Sequence, residues 1–374
     1  MKLNFFIKEG LARGYVLPPI TLAKHFGFVF PLIPYRPAAG NILATHNCNS
    51  RCLTCTMWKN KSINELTTME MCDLIVQLRD FGVRRISFSG GESTLRTDLP
   101  DLVSKAHEVG FKNILVATNG LSLSDRRAQE LLNNGCNRIT ISIDGIGNVH
   151  DEQRGIKGAF EKSMKTIRML IDLRNSGHYD LDIELETTIT QHNLADFDEV
   201  LKLSKELKLG WVMSVFETDS FQFKDTNYAF DLRITDYDEL ARAIHKLHQM
   251  KRNYPMSPII SHVALERVKR YLENKNARDL KSNIPCTAGF TAIYVDACGN
   301  VFPGCWAQKP IGNIREKKLR EVVNIPEFRA TLKKMFVKEC PTCPNSIIWG
   351  AWYYMPTLFE EGVWRLRFMR LSTG

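Results

Sequence analysis

Three cysteines fall within eight residues, in the run Cys48-Asn-Ser-Arg-Cys52-Leu-Thr-Cys55. Thiolates are the usual protein ligands of iron–sulfur clusters. Three of them on a four-iron cube would leave one iron without a protein ligand, and an open metal position marks a reactive centre where a closed one marks a structural one. Zinc is the alternative occupant. It would need a fourth ligand, such as His46 or a distant cysteine, and it favours paired two-cysteine knuckles. Cysteines recur at Cys286, Cys298, Cys305, Cys340 and Cys343, with Cys72 and Cys136 between, ten in all. The sequence reads without a secretory signal, so the thiols are expected to stay reduced, which favours metal or catalytic use over a disulfide framework.

Short polar motifs follow at intervals: Ser89-Gly90-Gly91-Glu92, Thr118-Asn119-Gly120, Ser142-Ile143-Asp144-Gly145 and Arg154-Gly155. Each alone reads as an ordinary tight turn. The elements that must hold them give them weight. Residues 41–45 are a short apolar run, and 67–81 have helical spacing, opened by the capping box Thr67-x-x-Glu70 and closed by Gly82. Further strands are predicted at 85–89, 113–117, 138–143, 181–189 and 210–216, and helices at 99–109, 125–134, 159–174 and 196–207. This alternation builds a parallel sheet, and strands rich in Ile, Val and Leu fit burial on both faces. The fold class is therefore α/β, a partial (β/α)6 TIM-like barrel with a small C-terminal cysteine-rich domain. Reactive groups of such barrels sit beyond the carboxyl ends of the strands. The cysteine run and the first three polar motifs mark the ends of four successive strands.

Four regions are expected. Residues 1–40, with Pro18, Pro19, Pro31, Pro34 and Pro37, read as an irregular arm, and 41–255 as the barrel with an aromatic, polar insertion at 220–234. Helices are predicted for 236–252 and 262–274. Residues 256–346 form the cysteine-rich module, with a hairpin pattern over 292–302, and 347–374 an aromatic tail from Trp349 to Phe368. On the fifth strand Glu184, Glu186 and Thr188 alternate onto one face. Charged residues seldom point into a barrel unless paired or functional, so Glu186 is a candidate substrate contact. Asn193 reads as a cap for the next helix.

The Cys-x3-Cys-x2-Cys run after a first barrel strand resembles the defining motif of the radical S-adenosylmethionine (SAM) superfamily. The resemblance implies a 4Fe–4S cluster on Cys48, Cys52 and Cys55, whose open iron is chelated by SAM. Reductive cleavage then yields methionine and a 5′-deoxyadenosyl radical that abstracts a hydrogen atom. Gly90, Gly91 and Glu92 are similar to the family's glycine-glycine-glutamate motif, with Glu92 on the SAM ammonium. Thr118, Asn119, Ser142 and Asp144 resemble segments that contact the SAM carboxylate or ribose. Thr54 stands where many members carry an aromatic residue beside the adenine, a packing that Met57 or Trp58 would then supply. Arg154 resembles an arginine of members with a C-terminal cluster domain, placed to pair with a carboxylate of SAM or substrate. The stretch around Cys286 and Cys305, with Cys340 and Cys343, looks like a twitch or SPASM-type auxiliary domain, implying a second, closed 4Fe–4S cluster. Four thiolates are also a favoured zinc arrangement. Cys298, on the hairpin, is a candidate hydrogen-atom donor to a substrate radical.

The sequence carries a net charge of +9 on 374 residues, but the positive charges are scattered and no block of Lys and Arg marks a nucleic-acid tail. The apolar stretch 26–33 is far short of the roughly 20 residues a membrane helix needs. The expected address is cytoplasmic, with the aromatic tail and basic balance suited to a peripheral membrane contact. Expected partners are a reductase such as flavodoxin or ferredoxin and a substrate, with no nucleic acid. The short arm favours a small molecule, sugar or lipid-linked substrate undergoing oxidation or epimerisation over a peptide. The peptide-crosslinking maturase and the zinc-stabilised, non-catalytic binding protein are the alternatives.

Overall fold

The computed structural model describes residues 35, 37–59, 64–216, 232, 234–253, 286, 288–306 and 308–337. The tail 347–374, Cys340, Cys343 and the helix expected at 262–274 lie outside them. The chain divides into two compact units: 36–233 with 291–329, and 1–35 with 234–290 and 330–374.

In the first unit six parallel strands follow chain order: β1 (Ala39–Thr45), β2 (Arg85–Gly90), β3 (Asn113–Thr118), β4 (Arg138–Ser142), β5 (Asp182–Ile189) and β6 (Gly210–Val215). Helices α1 (Thr68–Asp80), α2 (Leu99–Glu108), α3 (Asp125–Asn133), α4 (Asn148–Arg154), α5 (Ala159–Asn175) and α6 (Phe197–Glu206) connect them. The sheet does not stop at β1. On its far side β7 (Ala292–Val295) pairs parallel with β1, and β8 (Asn300–Pro303) and β9 (Gly312–Asn313) continue antiparallel, giving nine strands in the order 6-5-4-3-2-1-7-8-9. The hairpin of the cysteine-rich module is thus part of the barrel's own sheet.

Strand pleating sorts the side chains into two sets. Ile42, Ile86, Phe88, Ile114, Val116, Ile139, Ile141 and Leu185 face the helices and are almost fully buried. Leu74 and Leu78 of α1, Leu102 and Val103 of α2, Leu131 of α3 and Ile167 of α5 are likewise buried. Each such side chain contributes about 1.5–3 kcal/mol on burial. The alternate residues, Asn41, Ser87, Ser89, Ser142, Glu186 and Thr188, are only partly buried and line the inner face. In register, Asn41 lies beside Ser87, Leu43 beside Ser89, Ser142 beside Glu186 and Thr188 beside Ser214. This face is polar, carrying hydroxyls, the Asn41 amide and the carboxylates of Glu184 and Glu186.

Helix α1 begins where its sequence says it should. The Thr67 hydroxyl accepts from the Glu70 amide at 3.3 Å, and the Glu70 carboxylate accepts from the Thr67 amide at 2.8 Å. Arg315 extends the box: it donates to Glu70 Oε1 at 2.6 Å and Oε2 at 2.9 Å, and to the carbonyls of Asn64 and Glu65 at 3.0 and 3.1 Å. Asn193, in contrast, is not the cap of α6. It accepts from the Thr190 amide at 2.8 Å and donates to the carbonyls of Asp144 and Thr188 at 2.6 and 2.8 Å, tying the end of β5 to the end of β4. The polar groups freed where two strands stop recruit it before the helix can.

In the second unit the described residues include Tyr35, α7 (Tyr237–Asn253), Cys286 and the start of α8 (Ala288–Thr291); α9 (Leu319–Val322) belongs to the first unit, and α10 (Pro326–Phe336) begins in the first unit and ends in the second. Leu240, Ala243 and Ile244 form the buried stripe of α7, and Phe290 meets Phe336 edge-on at 6.1 Å. No helix among the described residues is long and apolar enough to cross a membrane.

Candidate active site

The cysteine run leaves the carboxyl end of β1 as a loop, ending in one 3-10 turn, Met57–Lys59. Loop amides have no ladder to join and must be satisfied elsewhere. Here the unpaired carbonyls at the end of α4 take them: Arg51 N donates to Arg154 O and Leu53 N to Gln153 O, both at 2.9 Å. The approach is close enough that a Cβ on Gly155, whose φ is 64°, would lie 2.4 Å from the Arg51 carbonyl oxygen. From the other side the Asn119 amide donates to Asn49 Oδ1 at 2.7 Å and to Ser50 Oγ at 3.0 Å.

Every thiol of the run faces a donor. Ser50 N lies 3.4 Å from Cys48 Sγ, Met57 N 3.4 Å from Cys55 Sγ, and Arg154 Nη1 3.7 Å from Cys52 Sγ. Donors aimed at sulfur suit thiolate ligands. Burial nevertheless pushes the Cys48 thiol up to about 11 and that of Cys55 up to about 12, and raises Cys52 too. Without a metal these groups keep their protons, so the loop is built for deprotonation by a bound cation rather than for a bare nucleophile. Among the described residues no three His, Cys, Asp or Glu side chains gather tightly enough for a single ion. A four-iron cube does not require it, because each thiolate takes its own iron. The residues present fit that group.

The glycine-glycine-glutamate segment braces the start of this loop. Gly91 N donates to Thr45 O and Glu92 N to Asn47 O, each at 2.8 Å. A Cβ at Gly91 would stand 2.2 Å from the Asn47 carbonyl oxygen. The close approach that these glycines permit is thus to the cysteine loop's own backbone. The Glu92 carboxylate is buried and accepts from Thr118 Oγ1 and Asn119 N, both at 2.7 Å, and from Thr94 N at 3.1 Å. It locks the ends of β2 and β3 together.

Asp144, 1% exposed, and Arg154 form an ion pair at 2.6 Å beside Cys52. Asp144 Oδ1 also accepts from Thr188 N at 2.8 Å, and its own amide donates to His150 Nδ1 at 3.1 Å. Burial raises the Asp144 carboxyl while the guanidinium pulls it back. Arg154 is held protonated, its burial outweighed by Asp144 and Cys52. Burial lowers His150 to about 3, so it is a neutral acceptor at Nδ1. Glu186 projects from β5 onto the inner face, and its carboxylate accepts no hydrogen bond among the described residues. Burial raises its pKa, Arg154 opposing and Asp144 adding. Its neighbour Glu184 is instead paired with Arg138 at 2.8 Å.

The remaining candidates are placed as follows. Thr54 is buried, Met57 packs into an apolar group with Leu43 and Ala297, and Cys55 and Trp306 pack against that group. Trp58 is partly buried, with the Lys59 ammonium 5.3 Å from its ring centre. Cys298 sits in the β7–β8 turn, its amide donating to Asp296 Oδ1 at 2.9 Å. Cys305 follows β8 and is partly buried; Cys286 is buried within the second unit. Cys340 and Cys343 lie outside the described residues. The contributions of Asn49, Ser50, Gln153 and Asn193 escape the sequence, because each acts on a partner from a different strand end; that of His150, which accepts from the nearby Asp144 amide, leaves no periodic signal.

With this geometry in hand the relatives are informative. Residues 42–203 match the model of the radical SAM superfamily, and residues 286–344 that of an iron–sulfur cluster-binding domain. The chain belongs to the radical SAM superfamily and carries a C-terminal domain of the auxiliary-cluster type. A 4Fe–4S cluster, a further iron–sulfur cluster and SAM are accordingly its cofactors, and it needs a reductant. The chain is 35% identical over 168 residues to the Fe-coproporphyrin III synthase of Methanosarcina barkeri, covering 44% of this chain and 40% of that protein. It is 28% identical over 295 residues to the sporulation killing factor maturation protein SkfB of Bacillus subtilis, covering 77% of this chain and 65% of that protein. The match thus spans less than two thirds of either relative. In fold, the crystal structure of Streptococcus suis SuiB bound to precursor peptide SuiA superposes with a TM-score of 0.63 at 16% identity, covering 80% of this chain and 67% of that one.

Proposed function

We propose that Cys48, Cys52 and Cys55 hold the SAM-binding cluster and that the radical formed there abstracts a hydrogen atom from a polar substrate lying on the inner face of the sheet. The observation that carries this reading is Glu186. A partly buried carboxylate that accepts no hydrogen bond among the described residues, set beside Ser142 of β4 and two residues before Thr188 on the same face of β5, is a ready acceptor for a substrate hydroxyl or amine. Such a face favours a sugar or other hydroxylated small molecule, or a lipid-linked one bearing it, and an oxidation or epimerisation as the outcome. Cys286, Cys305, Cys340 and Cys343 are the proposed auxiliary-cluster ligands. Gly90, Gly91, Glu92, Thr118, Asn119, Ser142 and Asp144 border the SAM site, Glu92 also bonding to Thr118 and Asn119 at the end of β3, with Thr54 and Trp58 at the adenine side. Cys298 is the candidate donor of a returning hydrogen atom in an epimerisation. Flavodoxin or ferredoxin would supply the electron, in the cytoplasm or at a membrane surface.

Incubation with deuterated polar candidates, SAM and dithionite tests this reading. Deuterium is expected in 5′-deoxyadenosine, and Glu186→Gln is expected to lower transfer at least tenfold while SAM cleavage without substrate persists. Equal transfer in that variant would remove Glu186 from the substrate site. A second reading, a peptide-modifying maturase, is supported by the likeness to SkfB over 77% of this chain; label transfer from a peptide and from no small molecule would favour it. A zinc-stabilised binding protein would instead contain zinc where about eight irons are expected for two cubes.

A further inference from the structure

Two main-chain bonds already fasten the cysteine loop to the end of α4, from Arg51 and Leu53 to the carbonyls of Arg154 and Gln153. The Arg154 side chain is therefore not needed for that attachment. It turns instead toward Cys52, where Nη1 reaches Sγ at 3.7 Å while Nη2 pairs with Asp144 at 2.6 Å. The side chains are 14% and 1% exposed, so water and salt screen them little. Arg154 Nε is buried with no hydrogen-bond partner among the described residues.

We infer that the Arg154–Asp144 pair sets the reduction potential of the cluster on Cys48, Cys52 and Cys55, Arg154 raising it and Asp144 restraining that effect. The inference rests on the ligand assignment above. One electron enters the cluster from the external reductant, adding one negative charge and moving no proton. A fixed cation donating to a ligand sulfur stabilises the added charge, because potential follows net charge and hydrogen bonds to sulfur. The buried carboxylate opposes it by the same Coulombic rule. His150 stays neutral and Glu186 is the other acidic group facing Arg154.

The test is an anaerobic redox titration of the reconstituted full chain without SAM, read by the electron paramagnetic resonance of the reduced cluster, after iron has been counted in each variant. Leaving SAM out separates potential from any role in binding it. Arg154→Met is expected to lower the reduced-to-oxidised ratio at fixed poise about tenfold, or about 59 mV for one electron. Arg154→Lys, which keeps the charge, should fall between Met and the parent. Asp144→Asn should move the potential the opposite way. Should Arg154→Met fail to load iron, the lysine and asparagine variants decide the matter. A merely structural pair would change iron content with no opposed shifts, and potentials equal to the parent's, or shifts of the same sign, would overturn the inference. An iron-free parent chain would instead overturn the ligand assignment itself.

Discussion

Cys52 draws together residues that the sequence keeps far apart. Arg154 reaches its sulfur from 102 positions away, and Asn119 holds the neighbouring Ser50 from 69. The three cysteines were legible at once, because their spacing is local and thiolate chemistry is specific. Arg154 and Asn119 were singled out for SAM or substrate, but their hold on the cysteine loop was not readable: a side chain that acts on a loop from another strand end leaves no periodic mark. Asn119 offers a direct check. Replacing it by alanine leaves Asn49 and Ser50 without their donor, and the expected cost is about 1–3 kcal/mol in urea unfolding, with iron retained less firmly during gel filtration. Unchanged unfolding and iron content would show that the loop stands without this clamp.

At the scale of elements, the six strands and helices α1, α2, α3, α5 and α6 were readable, since alternation, capping and glycine stops are all local signals; the short α4 was not. The capping box of α1 is the clearest instance, and Thr67→Ala should cost about 1 kcal/mol in thermal or chemical unfolding. Its partner Glu70 gives a pH dependence. Hydrogen bonds from Arg315, and then from Thr67, hold its carboxyl at about 2, below the ordinary 4.5. A depressed carboxyl stabilises the fold above its unfolded value, and that contribution disappears as pH falls from 4.5 toward 2. Acid titration of Glu70→Gln should therefore show a smaller loss across that window than the parent; an identical loss would place the effect elsewhere. The same scale explains the two glycines before Glu92. The resemblance singled them out, but did not tell that Gly90 closes on the Thr45 carbonyl and Gly91 on that of Asn47. Gly91→Ala sets a methyl against a backbone oxygen that no rotamer can move, at an expected cost of about 1–3 kcal/mol together with loss of bound iron.

For the whole molecule, six parallel strands in chain order place the cysteine run and the three polar motifs after it at the carboxyl ends of β1 to β4, while Arg154-Gly155 ends α4. Burial on both strand faces was expected, but the inner face is polar and only partly buried. The entry of β7, β8 and β9 into that sheet was not readable. Pairing of β7 with β1 joins residues some 250 positions apart, and edge pairing depends on which strand side the helices leave open. The central claim is that the loop at the end of β1 carries a cluster with one iron open to SAM. It is tested most directly by the yield of 5′-deoxyadenosine from SAM and dithionite in the reconstituted chain and in Cys52→Ala. The parent should form it and the variant should not; equal yields from the two would contradict the assignment.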